Sequence, residues 1–353
     1  MKVVAVLYPS DSADTPELLG GAGQALGLRQ FVRAAGQEFV VLTDPGAELD
    51  GHLPTTDVLI TTPFWPAYVT RERFERAPLL KLVLTAGVGS DHVDLAAAAD
   101  HGVTVAEITG SNVVSVAEHA VMLILALVRN FVPAYRQVLD GRWDIAELAA
   151  RAHDLEEKTV GVFGAGRIGQ RVLARLKPFG VTLLYHDTRP LDRGREGAFG
   201  ADFVTLDELL EQSDVISIHA PLTPQTDRLF DRDRLARMKP GSYLVNTARG
   251  RIVDTDAVVA ALESGHLAGY AGDVWYPQPA PPDHPWRHMP RHAMTPHYSG
   301  TTLEAQWRYA DGIRECLQRF FDGRQLPEGV LIVDEGRVVS PSYRPAFEPA
   351  RAG

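Results

Sequence analysis

Short apolar runs recur along this chain, separated by stretches whose apolar residues fall three and four apart. In the first third, Val3–Leu7, Phe39–Leu42, Val58–Thr62, Lys81–Thr85 and Val103–Glu107 read as buried strands. Gln24–Ala35, with Leu26, Leu28, Phe31 and Val32 turned inward, reads as a helix, as do Arg71–Arg76 and Asp94–Asp100. The alternation resumes further on. Thr159–Phe163, Val181–Tyr185, Val215–His219, Ser242–Thr247, Gly269–Val274 and the short Ala293–Pro296 read as strands. Gln170–Pro178, Leu206–Gln212, Leu235–Met238 and Thr255–Ser264 read as helices between them. Strands alternating with helices imply parallel sheets covered on both faces, so the expected class is α/β with two doubly wound parallel-sheet domains.

Asn112–Arg129 reads as one long helix, starting near Ser111 or Asn112, with Pro133 ending or kinking it before a second piece that runs to about Val138. From Val113 to Val128 it is apolar nearly all round, which requires burial on more than one side. A symmetric homodimer would supply the second cover; burial between two domains of one chain is the alternative. Thr302–Phe321 reads as a helix returning to the first domain, and Trp275–Met289, rich in proline and histidine, as a long surface loop. The proline-rich tail from Ser340 is expected to be poorly ordered unless it caps a site.

A chain of 353 residues is long enough for two cores. A formal charge of −10 argues against nucleic acid and anionic membranes as partners. The one cysteine, Cys316, excludes an internal disulfide and sits in a helical pattern as a core residue; no His/Cys cluster suggests a metal. The longest apolar run, Val113–Val128, is broken by Ser115, Glu118 and His119, and is too short and polar to span a bilayer. Met1–Leu7 lacks the pattern of a signal peptide, so the expected location is cytoplasmic.

The chemistry begins at Gly164-Ala165-Gly166-Arg167-Ile168-Gly169, a GxGxxG turn that follows a strand and opens a helix. Gly164 permits the tight turn, Gly166 lets a pyrophosphate approach the backbone, and Gly169 lets helix and strand pack closely. The helix start offers unpaired N–H groups and a positive dipole end. Asp187 lies 187 − 169 = 18 residues beyond the last glycine, close to the spacing of a ribose-binding carboxylate. That carboxylate repels a 2′-phosphate and favours NAD over NADP, with Arg189 a nearby opposing charge. A second cluster, Gly21, Gly23 and Gly27 followed by Asp44, is a decoy: about a dozen residues separate it from its strand. Asp187, His219, Thr247 with Arg249, Asp273 and His297 all follow apolar runs, where ligands bind in such sheets.

Taken together, the glycine turn, Asn246-Thr247-Ala248-Arg249-Gly250, Gly272-Asp273-Val274 and Thr295-Pro296-His297 resemble the D-specific 2-hydroxyacid dehydrogenases. More narrowly, Pro63-Phe64-Trp65-Pro66-Ala67-Tyr68, Thr85–Asp94, Ser115-Val116-Ala117-Glu118-His119, Gly272–Arg287 and His297-Tyr298-Ser299-Gly300-Thr301-Thr302 resemble bacterial NAD-dependent formate dehydrogenases. The likeness runs from about residue 20 to 335. It implies a Rossmann dinucleotide-binding domain, residues 112–304, inserted into a flavodoxin-like substrate domain made of residues 1–111 and 305–353. It further implies Arg249 and His297 as the catalytic pair, Gln278 as the partner of His297, and Asn112, Val88, Pro63 and Phe64 at formate. Val113, Gly164, Gly166, Arg167, Ile168, Gly169, Asp187, Pro221, Leu222, Thr223, Gln225, Thr247, Asp273, His297, Ser299 and Gly300 would line NAD. Three features depart from the family: Val88 stands where isoleucine is usual, Ser111 where bacterial members often carry cysteine, and both termini are short.

These residue types suit formate. Oxidising a 2-hydroxy acid requires a base for the hydroxyl proton, and a histidine backed by a carboxylate serves. Formate has no hydroxyl, and Gln278 is an amide that orients an imidazole without acting as a base. Arg249 can hold a carboxylate by two parallel hydrogen bonds, with Asn112 and His297 as further donors. A D-2-hydroxyacid or glyoxylate reductase is the alternative enzyme, and a dinucleotide-sensing regulator the non-enzymatic one. Pro63, Phe64 and Trp65 are expected to supply bulk and dryness and to fill space that a larger acid would need, while His92 and His119 read as structural hydrogen-bonders.

Overall fold

A computed structural model describes residues 1–10 and 17–343. It falls into two compact units, Met1–Asn112 with Gly300–Gly353, and Val113–Ser299. Asn112 thus lies with the first unit rather than at the start of the second, and the chain crosses back at Gly300, a few residues ahead of the sequence-based boundary.

The first unit is built on β1 (Lys2–Val6), β2 (Glu38–Leu42), β3 (Val58–Thr61), β4 (Leu82–Thr85) and β5 (Thr104–Glu107). These are parallel in the order β2-β1-β3-β4-β5, the flavodoxin-like order. Side chains alternate between faces with the period of a strand. Val3 and Ala5 join one core with Val58, Ile60, Leu82 and Leu84, while Val4 and Val6 join the opposite one with Leu59 and Val83. Each such buried Val, Ile or Leu contributes roughly 1.5–3 kcal/mol. The helix Leu303–Phe321 covers one face through Tyr309, Ala310, Ile313, Cys316 and Leu317. Burial pushes the Cys316 thiol up to about 11, as befits a core residue.

The second unit contains β6 (Thr159–Phe163), β7 (Thr182–His186), β8 (Ala201–Phe203), β9 (Val215–Ile218), β10 (Ser242–Asn246), β11 (Leu267–Gly272) and β12 (His292–Met294). All are parallel in the order β8-β7-β6-β9-β10-β11-β12, the doubly wound Rossmann order, which reverses between β6 and β9. The helix Val113–Val128 packs Ala117, Ala120, Leu123, Ile124 and Val128 on this sheet.

The structure corrects several sequence expectations. The N-terminal helix is split: Ala25 and Leu26 have positive φ, leaving a 3-10 turn at Ala25–Gly27 and a helix only over Arg29–Ala34. The long helix breaks at Asn130, whose left-handed conformation (φ 54°) ends it, and not at Pro133. Pro133 falls in the first turn of the next helix, Phe131–Leu139, where its missing N–H costs nothing. An antiparallel pair, β13 (Leu331–Asp334) and β14 (Arg337–Val338), extends the first sheet beyond β5. The helix Arg193–Phe199 and β8 also went unforeseen. The loop Trp275–Met289 lies at the surface as expected, with Tyr276, Pro277, Pro279 and Asp283 exposed, but it is also anchored: Trp286 is 1% exposed and packs on Tyr270, Trp275 and His284. In the tail, Ser340 and Tyr343 are buried; 344–353 lie outside the described residues. No single helix among the described residues is long and apolar enough to cross a membrane.

Replacing Trp286 by alanine should destabilise the protein by about 3–5 kcal/mol, the range for a fully buried large aromatic. A chemical-denaturation curve displaced by less than about 1 kcal/mol would show that the loop is not anchored there.

Candidate active site

In the second unit the strand ends converge. Asp187 follows β7, His219 follows β9, Thr247 and Arg249 follow β10, Asp273 follows β11, and Thr295 and His297 follow β12, all at carboxyl ends. The glycine turn follows β6 and opens the helix Arg167–Leu176. The backbone explains each glycine. Gly164 has φ +94°, and a Cβ on Gly169 would lie 2.0 Å from the Gly164 carbonyl oxygen. A Cβ on Gly166, at the helix N-cap, would meet no atom within 4 Å. The turn is therefore tight at its ends and open at its centre. Asp187 is drawn to it: its Oδ2 accepts from the Ala165 N–H at 2.7 Å. Arg167 is exposed, Ile168 half-buried, and Val113 is buried at the first position of its helix. After β9, the turn carrying Pro221, Leu222, Thr223 and Gln225 is closed by Thr226, whose hydroxyl donates to the Pro221 carbonyl at 2.7 Å and accepts from the Thr223 N–H at 2.8 Å.

The decoy is resolved by the same accounting. Asp44 accepts from the N–H groups of Gly46 and Glu48, which lower its pKa, and so serves the loop it sits in. A Cβ on Gly21 would collide with Ser10.

Arg249 is half-buried on a turn braced by Asn246, which is fully buried. Asn246 Nδ2 donates to the Arg249 carbonyl at 2.8 Å, and its Oδ1 accepts from the Ala248 N–H at 3.0 Å. His297 is also half-buried and has φ +55°, a left-handed conformation that a non-glycine residue adopts only when its surroundings impose it. Its Nδ1 lies 2.7 Å from Gln278 Oε1. Asp273, with no exposure at all, holds the following backbone: Oδ1 accepts from the Tyr298 N–H at 3.0 Å and Oδ2 from the Ser299 N–H at 2.8 Å. Thr295 donates to Asp273 Oδ1 at 2.6 Å. His219 Nε2 pairs with the Ser217 hydroxyl at 2.8 Å, and burial pushes its pKa well below the usual histidine range, so the ring is neutral.

In the first unit, Asn112 is 8% exposed and its Oδ1 is buried without a hydrogen-bond partner among the described residues, an arrangement that a purely structural residue would be penalised for. It lies against Gly300, where a Cβ would come within 2.5 Å of Asn112 Nδ2. Pro63 is buried and Phe64 packs edge-on against Tyr8 and, tilted, against Tyr309. Gly87, at φ +143°, lets the loop bearing the half-buried Val88 approach Pro63. That loop is tied down by Glu107, whose Oε2 accepts from the Gly89 N–H and the Ser90 hydroxyl. Asn246 and Glu107 escape a reading from sequence as site residues: Asn246 braces backbone groups, and Glu107 ties down a backbone N–H and hydroxyls, which no side-chain pattern reveals. Among the described residues no group of three His, Cys, Asp or Glu sits together as a metal site would require.

Residues 121–299 match the family model for the D-isomer specific 2-hydroxyacid dehydrogenase, NAD binding domain. The chain belongs to the D-isomer specific 2-hydroxyacid dehydrogenase family. It is 53% identical over 349 residues to the mitochondrial formate dehydrogenase of Solanum tuberosum, covering 97% of this chain and 91% of that one. A solved formate dehydrogenase from Granulicella superposes with TM-score 0.93 at 47% identity, over 96% of this chain and 100% of the other. The NAD-dependent formate dehydrogenase of Staphylococcus aureus, solved with NAD, superposes with TM-score 0.89 at 55% identity, over 94% and 99%. Within the family the chain groups with the formate dehydrogenases, and these come from plants and fungi as well as bacteria, so the likeness is not specifically bacterial.

The glycine turn fits a dinucleotide: open space at Gly166, free helix N–H groups, and a carboxylate at Asp187. Gly166→Ala should leave the melting temperature nearly unchanged but weaken NADH binding at least about tenfold, because its methyl meets only ligand. Gly169→Ala should lower both, because its methyl meets backbone. Equal behaviour of the two in a fluorescence titration and a melt would contradict this division.

Proposed function

We propose that the protein is an NAD-dependent formate dehydrogenase that transfers hydride from formate to NAD+, giving carbon dioxide and NADH with no proton removed. The observation that carries the reading is the pairing of His297 with an amide, Gln278 Oε1 at 2.7 Å, among relatives that are formate dehydrogenases. When bound, NAD supplies the oxidised nicotinamide ring that accepts the hydride. The residues of the chain bind and orient. Arg249 holds the carboxylate through its planar guanidinium, which keeps its charge at any working pH. His297 contributes its polar ring, aimed by Gln278, and Asn112 a further amide donor. Pro63, Phe64 and Trp65 supply bulk and dryness, which strengthen fixed dipoles and exclude larger acids, and Val88 borders formate. Holding formate in a near-attack geometry contributes up to roughly 7–11 kcal/mol of the barrier reduction. Asp187 orients the adenosine ribose and disfavours a 2′-phosphate, and the remaining residues of the turns after β6, β9, β10 and β12 contact the cofactor.

We also propose a homodimer. Support comes from the segment 114–145, which leaves Val114, Met122, Phe131, Tyr135, Leu139 and Trp143 exposed, Trp143 by 83%. Leu139→Glu combined with Trp143→Glu should shift the mass in solution from two chains to one; a monomeric wild type would end the proposal.

The functional test is NADH formation from formate, followed by absorbance, with NAD and NADP offered separately. Turnover with NAD is expected, and a preference for NADP would overturn the role given to Asp187. Arg249→Ala should reduce turnover by about 100- to 1,000-fold, an electrostatic loss of the oxyanion-donor size, while NADH still binds. Equal loss of turnover and cofactor binding would mean that Arg249 serves the cofactor instead. Formate turnover should be flat with pH around neutrality, because no proton moves. Gln278→Glu should introduce an ionisation into that profile, because a carboxylate beside an imidazole favours its charged form. An unchanged profile would contradict the pairing.

A further inference from the structure

His119 lies in the middle of the helix Val113–Val128 and is 8% exposed. Its Nε2 is 3.1 Å from Thr295 Oγ1. Thr295 has one hydroxyl proton and two acceptors within reach, Asp273 Oδ1 at 2.6 Å and the Gly272 carbonyl at 3.3 Å. The shorter contact is to a carboxylate and is the stronger by charge assistance, so the proton goes there. Thr295 Oγ1 is then an acceptor towards His119, and His119 must carry its proton on Nε2. Burial lowers the pKa of His119 against the opposing pull of Asp273, which keeps the ring in this neutral donor form.

The three side chains therefore form a directed chain of donors, His119 to Thr295 to Asp273. It ends on a fully buried carboxylate whose two oxygens hold the N–H groups of Tyr298 and Ser299, the two residues after His297. On the other side of His297, the Thr295 N–H donates to the Gly272 carbonyl at 2.8 Å, and the Thr295 carbonyl accepts from Trp275 Nε1 at 2.8 Å. The backbone is thus clamped two residues before His297 and immediately after it, with the left-handed residue between. The His119 ring also meets the Tyr298 ring edge-on, centroids 5.0 Å apart.

We infer that His119 and Thr295 are positioning residues for the catalytic step: through Asp273 they hold His297 in its strained conformation and so set the direction of its ring. This inference rests on the formate dehydrogenase reading. Neither residue is assigned contact with formate; both act through Asp273 and the loop it fixes.

The test uses full-length protein and three variants. His119→Leu removes the donor and keeps bulk, His119→Gln keeps a donor, and Thr295→Val removes the hydroxyl with little change of shape. His119→Leu and Thr295→Val should lower kcat about tenfold or more, the order expected of a sub-ångström misplacement of a reacting group. The fall in kcat should exceed any rise in the KM for NAD, because Asp273 and Ser299 also border the cofactor whereas the conformation lost is that of His297. His119→Gln should recover most of the lost rate. The deuterium isotope effect with deuterated formate should be at least as large in the slow variants as in the wild type, because the loss falls on hydride transfer. Wild-type kcat in Thr295→Val would overturn the inference. So would a glutamine variant as slow as the leucine variant, or a rate loss that merely follows the unfolded fraction and loses the isotope effect. A wild type with no formate-dependent NADH formation would instead sink the dehydrogenase reading, and this inference with it.

Discussion

An imidazole hydrogen-bonded to an amide is a different chemical object from one bonded to a carboxylate, and the account of this protein depends on that difference. A carboxylate beside Nδ1 stabilises the imidazolium and makes the ring a competent base. An amide orients the ring and offers no counter-charge. At 2.7 Å, Gln278 Oε1 places His297 in the second class. A substrate that must surrender a hydroxyl proton along with its hydride finds little help there. A substrate whose only mobile hydrogen leaves as hydride needs none.

What remains for the protein to supply is placement, and the second unit devotes two fully buried polar side chains to it. Asn246, with no exposure, closes the turn that carries Arg249 using both ends of its amide. Asp273, equally buried, spends its two oxygens on backbone N–H groups and on Thr295. Buried polar groups of this kind are costly unless satisfied, and when satisfied they specify one conformation. The parallel sheet makes this economical. Every strand delivers its last polar residue to the same edge, so short turns braced from below can present several side chains at once.

Much of this was legible in the sequence because it is local. The GxGxxG turn follows directly on β6, and the interval from Gly169 to Asp187 is contained within one βαβ unit. Strands β1, β3 and β4 announce themselves as apolar runs because both of their faces are buried. The misses are non-local or turn on a single dihedral. β13 and β14 pair with each other and with β5 from far along the chain, and only four and two residues respectively carry the pattern. The break at Asn130 depends on a left-handed residue, whereas Pro133 is the louder signal but sits harmlessly in a first helical turn. The loop around Trp286 is at the surface, as its prolines and histidines indicate, but its anchor shows only when Trp286 is seen packed on Tyr270 and Trp275. His119 reads from sequence as structural, because a lone histidine on an apolar helix usually is. Its connection to Asp273 spans more than 150 residues and becomes visible only once the helix lies on the sheet.

The central claim, that hydrogen leaves as hydride with no proton collected by the protein, is tested most directly by measuring substrate and solvent isotope effects on kcat/KM for formate. The account predicts a normal effect with deuterated formate in light water, and an effect indistinguishable from unity when only the solvent is deuterated. A solvent effect as large as the substrate effect would mean that a proton moves in the same step, and would contradict it.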